Sequence, residues 1–167
     1  MKLTSAEANK LIKQIRDEIT LIETQEKNGY RFVAATIEDP EALRPQYSYA
    51  ETAAELDARE EKIRRIKHAL NLFNANTKPD GLDMTIDELL VWLPQVHDRL
   101  RKLAVMLGEP GGARIANSGR TSIIEYEYAN YDYAQVRRDF EALTERKNKA
   151  LTALDTANNT LRFEVEI

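Results

Sequence analysis

Apolar residues recur every three or four positions along four long stretches of the chain, and polar residues fill the positions between them. This spacing is typical of amphipathic helices that pack along a heptad stripe. The four stripes comprise Ala8, Ile12, Ile15, Ile19 and Ile22; Leu56, Ile63, Ile66, Leu70 and Phe73; Leu89, Leu93, Val96, Leu100, Leu103 and Leu107; and Tyr133, Val136, Phe140, Leu143, Lys147, Ala150, Leu154 and Leu161. The pattern predicts a mainly α-helical protein with four long amphipathic helices, arranged as a bundle or antiparallel coiled coil with short β arms.

Residues suited to helix capping precede the stripes. In a capping box, a Ser or Thr side chain accepts from the backbone N–H three residues later, and the Glu at that position accepts from the first residue's N–H. The pairs that match are Thr4 with Glu7, Ser48 with Glu51 and Thr85 with Glu88. The fourth helix is predicted to begin near Asp132, and Gly108 is predicted to end the third helix in a left-handed conformation.

Three shorter segments have the composition of β-strands. Tyr30–Ile37 and Thr121–Tyr128 are rich in β-branched and aromatic residues and follow a glycine. The last segment, Leu161–Ile167, alternates apolar with charged residues, which places its apolar residues on one face. Those apolar residues are Phe163, Val165 and Ile167. We expect a ribbon of two or three short strands at one end of the bundle.

The two halves of the chain resemble each other. A shift of 81 residues superposes the first helix on the third, and a shift of 84 residues superposes the second on the fourth. The matches include Thr4 with Thr85, Glu7 with Glu88, Ile15 with Val96, Tyr49 with Tyr133, Leu70 with Leu154 and Asn74 with Asn158. We predict an internal two-fold duplication in which residues 1–83 and 84–167 are two helix–arm–helix units sharing one core as a single domain.

Composition narrows the class of protein. The 167 residues include 24 Lys and Arg against 28 Asp and Glu, and the net charge of −4 gives no general attraction to nucleic acid or anionic membranes. The absence of cysteine excludes disulfides, thiolate metal sites and cysteine nucleophiles. The apolar runs are too short for a membrane span, and the first ten residues lack the apolar core of a secretory signal. We therefore expect a cytoplasmic protein that binds neither nucleic acid nor membranes.

Residue types that carry catalysis or bind metals do not form a familiar motif. The Glu-x-x-His pattern of di-iron bundles is missing because no glutamate stands three residues before His68 or His97. Ser118 lacks the flanking glycines of a nucleophile elbow, and residues 108–112 lack the lysine of a phosphate-binding loop. We predict no catalytic residues, no metal or cofactor site and no enzymatic activity.

Charged residues cluster at three places. The clusters are Arg64, Arg65, Lys67 and His68; Arg99, Arg101 and Lys102; and Glu125, Glu127 and Asp132. Acidic residues lie one helical turn from both basic clusters, so we interpret these as solvated, ion-paired faces rather than nucleic-acid contacts. The alternation of Glu125 and Glu127 fits the exposed face of a strand and needs no catalytic role.

Tyrosine is concentrated in two matching places. The positions are Tyr126, Tyr128, Tyr131 and Tyr133 in the second half, and Tyr47 and Tyr49 in the first. A tyrosine ring combines a large apolar body with a polar tip, which suits both the edge of a core and a contact with another protein. Two interpretations remain open: the rings cover the end of the bundle, or they contact a partner.

Five short motifs spread over nearly the whole chain. They are IEDPEAL (Ile37–Leu43), LNLFNANT (Leu70–Thr77), TIDELL (Thr85–Leu90), SGRTSIIEYE (Ser118–Glu127) and ANNT (Ala157–Thr160). Together they resemble the septicolysin-like family of uncharacterised bacterial helical proteins. The resemblance implies no established activity and no catalytic residues. The family name suggests a haemolysin, but the chain lacks the pair of long amphipathic strands that would insert into a membrane.

The helices carry more apolar residues than single stripes would bury. Those outside the stripes include Leu11, Leu21, Leu72, Leu90, Val91, Trp92, Met106 and Leu151. A widened apolar face is typical of a helix that contacts both its own bundle and a second copy, although a compact monomer would also bury it. We predict a structural, self-assembling homo-oligomer of two or more copies. The alternative is a module that binds another protein through its tyrosine-rich arms; an enzyme or a pore-forming toxin is less favoured.

Overall fold

The computed structural model describes residues 1–108, 113–114 and 125–167. Within these residues the protein is mainly helical, and the four long helices predicted from the apolar pattern are confirmed. The helices are α1 (Ser5–Gly29), α2 (Pro40–Leu43), α3 (Tyr49–Asn76), α4 (Ile86–Gly108) and α5 (Tyr133–Thr160). The strands are β1 (Lys2–Thr4), β2 (Ala113–Arg114), β3 (Tyr126–Glu127) and β4 (Arg162–Glu164). The chain forms two compact units, Met1–Asn76 with Thr156–Ile167, and Thr77–Asp155.

Capping boxes begin α1 and α4, as predicted. The Thr4 hydroxyl accepts from the Glu7 N–H at 3.2 Å, while the Glu7 carboxylate accepts from the Thr4 N–H at 2.9 Å. Thr85 and Glu88 repeat the arrangement at 3.2 and 2.7 Å. Each box satisfies two of the backbone N–H groups that a helix start leaves without an internal partner.

Capping residues also precede α3 and α5. The Ser48 hydroxyl accepts from the Glu51 N–H at 3.4 Å, and one Asp132 carboxylate oxygen accepts from two backbone N–H groups of α5 at 2.8 and 3.2 Å. The starts of α1 and α4 are 81 residues apart, and those of α3 and α5 are 84 apart. These separations equal the two shifts of the sequence comparison. The duplication itself, and its division into residues 1–83 and 84–167, stay predictions.

In the first unit, β1 and β4 form an antiparallel ribbon with Leu3 opposite Phe163. The N-terminal ammonium of Met1 donates to the Val165 carbonyl at 2.7 Å. The predicted C-terminal strand is confirmed over β4, and its apolar residues Phe163 and Val165 are buried. The placement of Ile167 on the same face was wrong, because this residue lies beyond the ribbon and is 46% exposed.

The core of the first unit is built from α1, α3 and the ribbon. Its buried members are Leu3, Ala8, Ile12, Ile15, Ile66, Phe163 and Val165, and Leu11, Ile19, Ile63, Ala69, Leu70 and Phe73 pack against them. The rings of Phe73 and Phe163 stack with their centres 5.1 Å apart. The first two apolar stripes therefore meet as predicted, and the ribbon covers one end of their contact.

Helices α1 and α3 run antiparallel. Tyr47, just before α3, donates its hydroxyl proton to Glu26 near the end of α1 at 2.7 Å. Further along α3, Arg59 donates to Glu18, which lies two turns earlier in α1, at 3.1 Å. Residues that lie later in α3 therefore contact residues that lie earlier in α1. This is the antiparallel order expected from the sequence.

The second unit contains α4 and most of α5, also in antiparallel order. The Tyr131 hydroxyl, just before α5, donates to the Met106 carbonyl near the end of α4. The Arg146 guanidinium, further along α5, lies 5.0 Å from the ring centre of Trp92 near the start of α4. Buried residues of this unit include Ile86, Leu89, Val96, Leu100, Val136, Ala150 and Leu154, most of which belong to the predicted stripes.

The predicted strand at Tyr30–Ile37 was wrong. This segment has no partner strand among the described residues and instead turns after Ala35, where the Glu38 N–H donates to the Ala35 carbonyl at 3.0 Å. The second predicted strand, Thr121–Tyr128, is present as β3, which pairs antiparallel with β2. Residues 121–124 of that prediction lie outside the described residues.

The left-handed conformation predicted for Gly108 was also wrong. Among the described glycines only Gly81 has a positive φ, at 72°. A left-handed glycine normally lets following N–H groups reach the last helix carbonyls. At the end of α4, tyrosine hydroxyls donate to the carbonyls of Met106 and Leu107, so those carbonyls have partners without such a cap.

Replacing Ile66 by Ala should lower the free energy of unfolding by about 2–5 kcal/mol. Ile66 belongs to α3 and is completely buried in the core that α3 forms with α1, so the change leaves a cavity. The control on the same helix is Leu72→Ala, which should cost less than about 0.5 kcal/mol because Leu72 is 53% exposed. Urea denaturation followed by circular dichroism measures both, and equal losses would contradict this core.

The Glu7 carboxylate should make stability depend on pH. Its pKa lies below the ordinary value of 4.5, chiefly because it accepts from the Thr4 N–H and also because Arg162 donates to it at 3.2 and 3.3 Å. A lowered pKa in the folded state means that the stabilisation is complete above pH 4.5 and is lost as the pH falls through the folded-state pKa.

Glu7→Gln should therefore be less stable than the wild type at neutral pH, and the difference should shrink below pH 4.5. Urea midpoints measured across this range for both proteins provide the test. A difference that stays constant at every pH would show that the Glu7 charge does not contribute.

Candidate functional site

The tyrosines divide into two groups. Tyr47, Tyr131 and Tyr133 donate hydroxyl hydrogen bonds to residues in the last turns of a long helix, α1 for Tyr47 and α4 for the other two. The rings that are half or more exposed are Tyr30 at 51%, Tyr49 at 72%, Tyr126 at 50% and Tyr128 at 74%. The interpretation that tyrosines close the end of a helix pair therefore applies to the first group.

Tyr131 and Tyr133 fasten the start of α5 to the end of α4. Tyr131 donates to the carbonyl of Met106, and Tyr133 donates to the carbonyl of Leu107 at 3.2 Å. The last four carbonyls of an α-helix accept no hydrogen bond from within the helix. The two tyrosine hydroxyls donate hydrogen bonds to two of these carbonyls.

Tyr47 occupies the matching position in the first unit. It precedes α3 by two residues, as Tyr131 precedes α5, and its hydroxyl donates to Glu26 at 2.7 Å. This hydrogen bond, together with desolvation and the negative charge of Glu26, raises the pKa of Tyr47 to about 12. Tyr47 and Tyr131 thus both contact the end of the long helix before them, although one acceptor is a carboxylate and the other a backbone carbonyl.

A groove of about 500 Å³ opens beside Tyr47 on the first unit. Its lining residues are Glu23, Glu26, Lys27, Tyr30, Tyr47 and Tyr49, and we call it the tyrosine groove. Gly29 lets Tyr47 approach α1 closely, since a Cβ atom on Gly29 would lie 3.2 Å from the Tyr47 Cβ.

Sequence reasoning found only part of this groove. The concentration of tyrosines indicates Tyr47 and Tyr49, but the sequence analysis identified neither Glu23 nor Glu26. Their spacing of three residues places both on one side of the last turns of α1. That spacing, followed by a glycine, is the signal that could have found them.

The segment between α1 and α3 holds apolar side chains in solvent. Val33 is 94% exposed and Ile37 is 96% exposed, and Phe32 and Leu43 are exposed at 37% and 46%. We call these four residues the arm patch. Aliphatic side chains this exposed contribute nothing to the core of the unit.

Hydrogen bonds, rather than apolar packing, order the segment between α1 and α3. The Glu38 carboxylate accepts from the Ala35 N–H at 2.7 Å, and the Asp39 carboxylate caps α2 by accepting from the Glu41 N–H at 3.0 Å. The Arg44 guanidinium lies 5.6 Å from the ring centre of Phe32. This segment, which we call the arm, thus has a defined path, while Val33 and Ile37 face water.

Several other candidate residues from the sequence form ion pairs or a helix cap. Arg64, Arg65 and Arg101 form ion pairs with acidic residues three or four positions earlier, as predicted. Asp132 caps α5, and Glu125 and Glu127 are exposed. Ser118 and the loop after Gly108 lie outside the described residues. Among the described residues, no three His, Cys, Asp or Glu side chains gather where they could hold a metal. None of the described helices has the length and hydropathy needed to cross a membrane.

No protein-family model and no curated protein sequence matches the chain. Among solved structures, the chain is similar to the crystal structure of a functionally unknown conserved protein from Corynebacterium diphtheriae. The TM-score is 0.57 at 12% identity, covering 98% of this chain and 100% of that one. The likeness shows a shared, mainly helical fold and carries no function.

The Tyr47 phenol should titrate late, near pH 12. Because this pKa lies above the ordinary 10.0, the hydrogen bond to Glu26 contributes fully below pH 10 and is lost as the pH rises through about 12. The ultraviolet absorbance of phenolate, followed against pH, measures the titration. Tyr47→Phe should remove the late step from the curve.

The control for this titration is Glu26→Gln. The amide oxygen of glutamine still accepts the hydrogen bond, but the negative charge that disfavours phenolate is gone. The late step should therefore move to lower pH. A titration curve that Glu26→Gln leaves unchanged would contradict this account of the Tyr47 pKa.

Proposed function

We propose that this is a self-assembling helical protein of the cytoplasm, that its copies associate through the arm patch, and that it acts by binding rather than by catalysis. The observation that carries the proposal is the exposure of Val33 and Ile37, at 94% and 96%. Burying such side chains stabilises a protein by about 1.5–3 kcal/mol each. A second copy that covers them gains this free energy.

The sequence of the arm supports a second copy as the covering partner. Tyr30–Ile37 has the β-branched and aromatic composition of a strand, yet it has no partner strand in the described residues. Strand-like segments with unpaired backbone groups tend to pair with another chain. Two identical arms related by a two-fold axis can meet and bury both arm patches at once.

The charges around the arm patch also suit contact between identical surfaces. Charges of both signs border it: two basic residues, Arg31 and Arg44, and three acidic residues, Glu38, Asp39 and Glu41. In a two-fold dimer the same surface meets itself, so a patch bordered by one sign of charge would repel its copy. A border of mixed sign removes that repulsion.

The helices add weaker support. Five apolar residues that the sequence analysis placed outside the stripes are exposed by 44% to 59%: Leu21, Leu72, Leu90, Val91 and Leu151. Single exposed apolar residues are common on monomers. The arm patch is the stronger candidate because its members lie within twelve consecutive residues and two of them are almost completely exposed.

We also propose that the chain is related to the septicolysin-like family. Support comes from the five motifs. They lie in the described helices and arms, except that part of SGRTSIIEYE lies outside the described residues. We do not propose a lytic activity, because the exposed residues favour assembly through the arm.

A second candidate is a module that binds another protein through exposed tyrosines. The observation that favours it is the pair Tyr126 and Tyr128, whose ring centres lie 6.3 Å apart and whose side chains are 50% and 74% exposed. Exposed tyrosines are enriched at protein interfaces. This candidate gains support if the protein proves to be a monomer.

Light scattering at micromolar concentration should give a mass that is a multiple of the chain's 19.1 kDa. The double variant Val33→Glu with Ile37→Glu should dissociate to a mass near 19.1 kDa. Loss of two buried aliphatic contacts weakens association by roughly a hundredfold or more. Both residues are exposed in the single chain, so the variant should keep its fold.

The matched control is Val105→Glu on α4, where an exposed valine at 54% lies outside the arm patch. This variant should keep the mass of the wild type. A wild-type mass near 19.1 kDa would overturn assembly, and an unchanged mass in the double variant would overturn the role of the arm patch.

A further inference from the structure

The tyrosine groove joins aromatic walls to carboxylates within the first unit. Tyr30, Tyr47 and Tyr49 contribute three phenol rings, and Glu23 and Glu26 contribute two carboxylates. Tyr47 and Tyr49 are two residues apart in the chain, and both line the groove. Aromatic faces are electron-rich and attract cations, most strongly when several rings surround the same volume.

The charge of the groove reinforces that attraction. Two carboxylates and the Lys27 ammonium leave one net negative charge among the lining residues. Tyr47 donates a hydrogen bond to Glu26 at 2.7 Å, and because the pKa of Tyr47 is raised to about 12 its phenol remains neutral at neutral pH. A cation in the groove would meet both ring faces and negative charge.

The arrangement suits an alkylated cation better than a bare ammonium. A primary ammonium is strongly hydrated and needs several acceptors to replace its water. In this groove Glu26 already accepts a hydrogen bond from Tyr47, and three of the six lining residues are tyrosines. A quaternary ammonium has no N–H groups to satisfy and presents methyl groups to the rings.

We propose that the tyrosine groove binds an organic cation with a fully alkylated ammonium group. The groove volume of about 500 Å³ accommodates a trimethylammonium headgroup with part of its substituent. Such a headgroup occurs on small molecules of the choline type and on trimethylated lysine side chains. The shared chemistry is the headgroup, and the experiment below separates the two sources.

A neighbouring contact shows that a cation approaches one of these rings within the chain itself. The Arg31 guanidinium lies 5.4 Å from the ring centre of Tyr30. The headgroup would therefore rely mainly on Tyr47 and Tyr49, with Glu23 and Glu26 beside it. This assignment is independent of self-assembly, because the arm patch contains none of these four residues.

The experiment titrates the full-length protein with choline and, separately, with a peptide that carries one trimethyllysine. Amide chemical shifts in NMR spectra report binding, with changes expected at residues 23–30 and 47–49. The matched neutral probe is 3,3-dimethylbutan-1-ol, which has the shape of choline without its charge. It should bind about two- to thirtyfold more weakly, the range that cation–π attraction gives. An unmodified lysine peptide is the second control.

Two variants of Tyr49 test the role of the ring. Tyr49→Leu should weaken binding severalfold, whereas Tyr49→Phe should retain it because the aromatic face remains. Tyr49 is 72% exposed, so neither change removes a core residue. Glu23→Gln should also weaken the cation but leave the neutral probe unaffected.

The outcomes divide cleanly. Binding of choline alone assigns a free small cation, binding of the peptide alone assigns a methylated protein, and binding of both assigns the headgroup as the determinant. Binding of neither overturns the proposal, as does equal binding of choline and its neutral analogue. Equal binding by wild type and Tyr49→Leu would also overturn it. Light scattering of the same samples reports self-assembly separately, so failure of one proposal is distinguishable from failure of the other.

Discussion

Pairing of β1 with β4 is the contact on which the first unit depends. The two strands are three residues each, and a two-stranded ribbon of that length is marginal by itself. Here the ribbon places Phe163 against Phe73 and brings Leu3 and Val165 into the core. Burial of these apolar side chains stabilises a ribbon that its few hydrogen bonds alone would not. Arg162 adds a link from β4 to the capping box of α1 through Glu7. Strand pairing, helix capping and core packing therefore support one another at one end of the α1–α3 pair.

Helices and their first residues were predictable because their causes are local. Heptad stripes and capping boxes operate over three to seven residues. Thr4 and Thr85 have both bonds of the predicted box, Ser48 has one of the two, and α5 begins next to Asp132 as predicted. The strands depend on partners far along the chain, which composition does not specify. Tyr30–Ile37 has the composition of a strand but no partner among the described residues, whereas β1, with no visible pattern, pairs with β4.

The site was partly predictable for the same reason. Tyrosine concentration is visible in a sequence, but which phenols close a helix pair and which remain exposed depends on where the preceding helix ends. Tyr47 and Tyr131 each stand two residues before a long helix and reach back to the end of the preceding long helix, α1 or α4. Gly29 leaves room for Tyr47 to lie against α1, where the glutamates and the tyrosines line one groove. Close approach of this kind is a property of packing that no periodicity reveals.

The ribbon also has a consequence for the order in which the protein becomes folded during synthesis. A contact between residues 3 and 163 requires closing a loop that contains nearly the whole chain, and such contacts form late. Until Phe163 and Val165 have left the ribosome, the apolar surfaces of Ile12, Ile15 and Ile66 lack part of their cover. The nascent α1–α3 pair is therefore a species that chaperones would recognise, and its lifetime is set by translation of the α4–α5 segment.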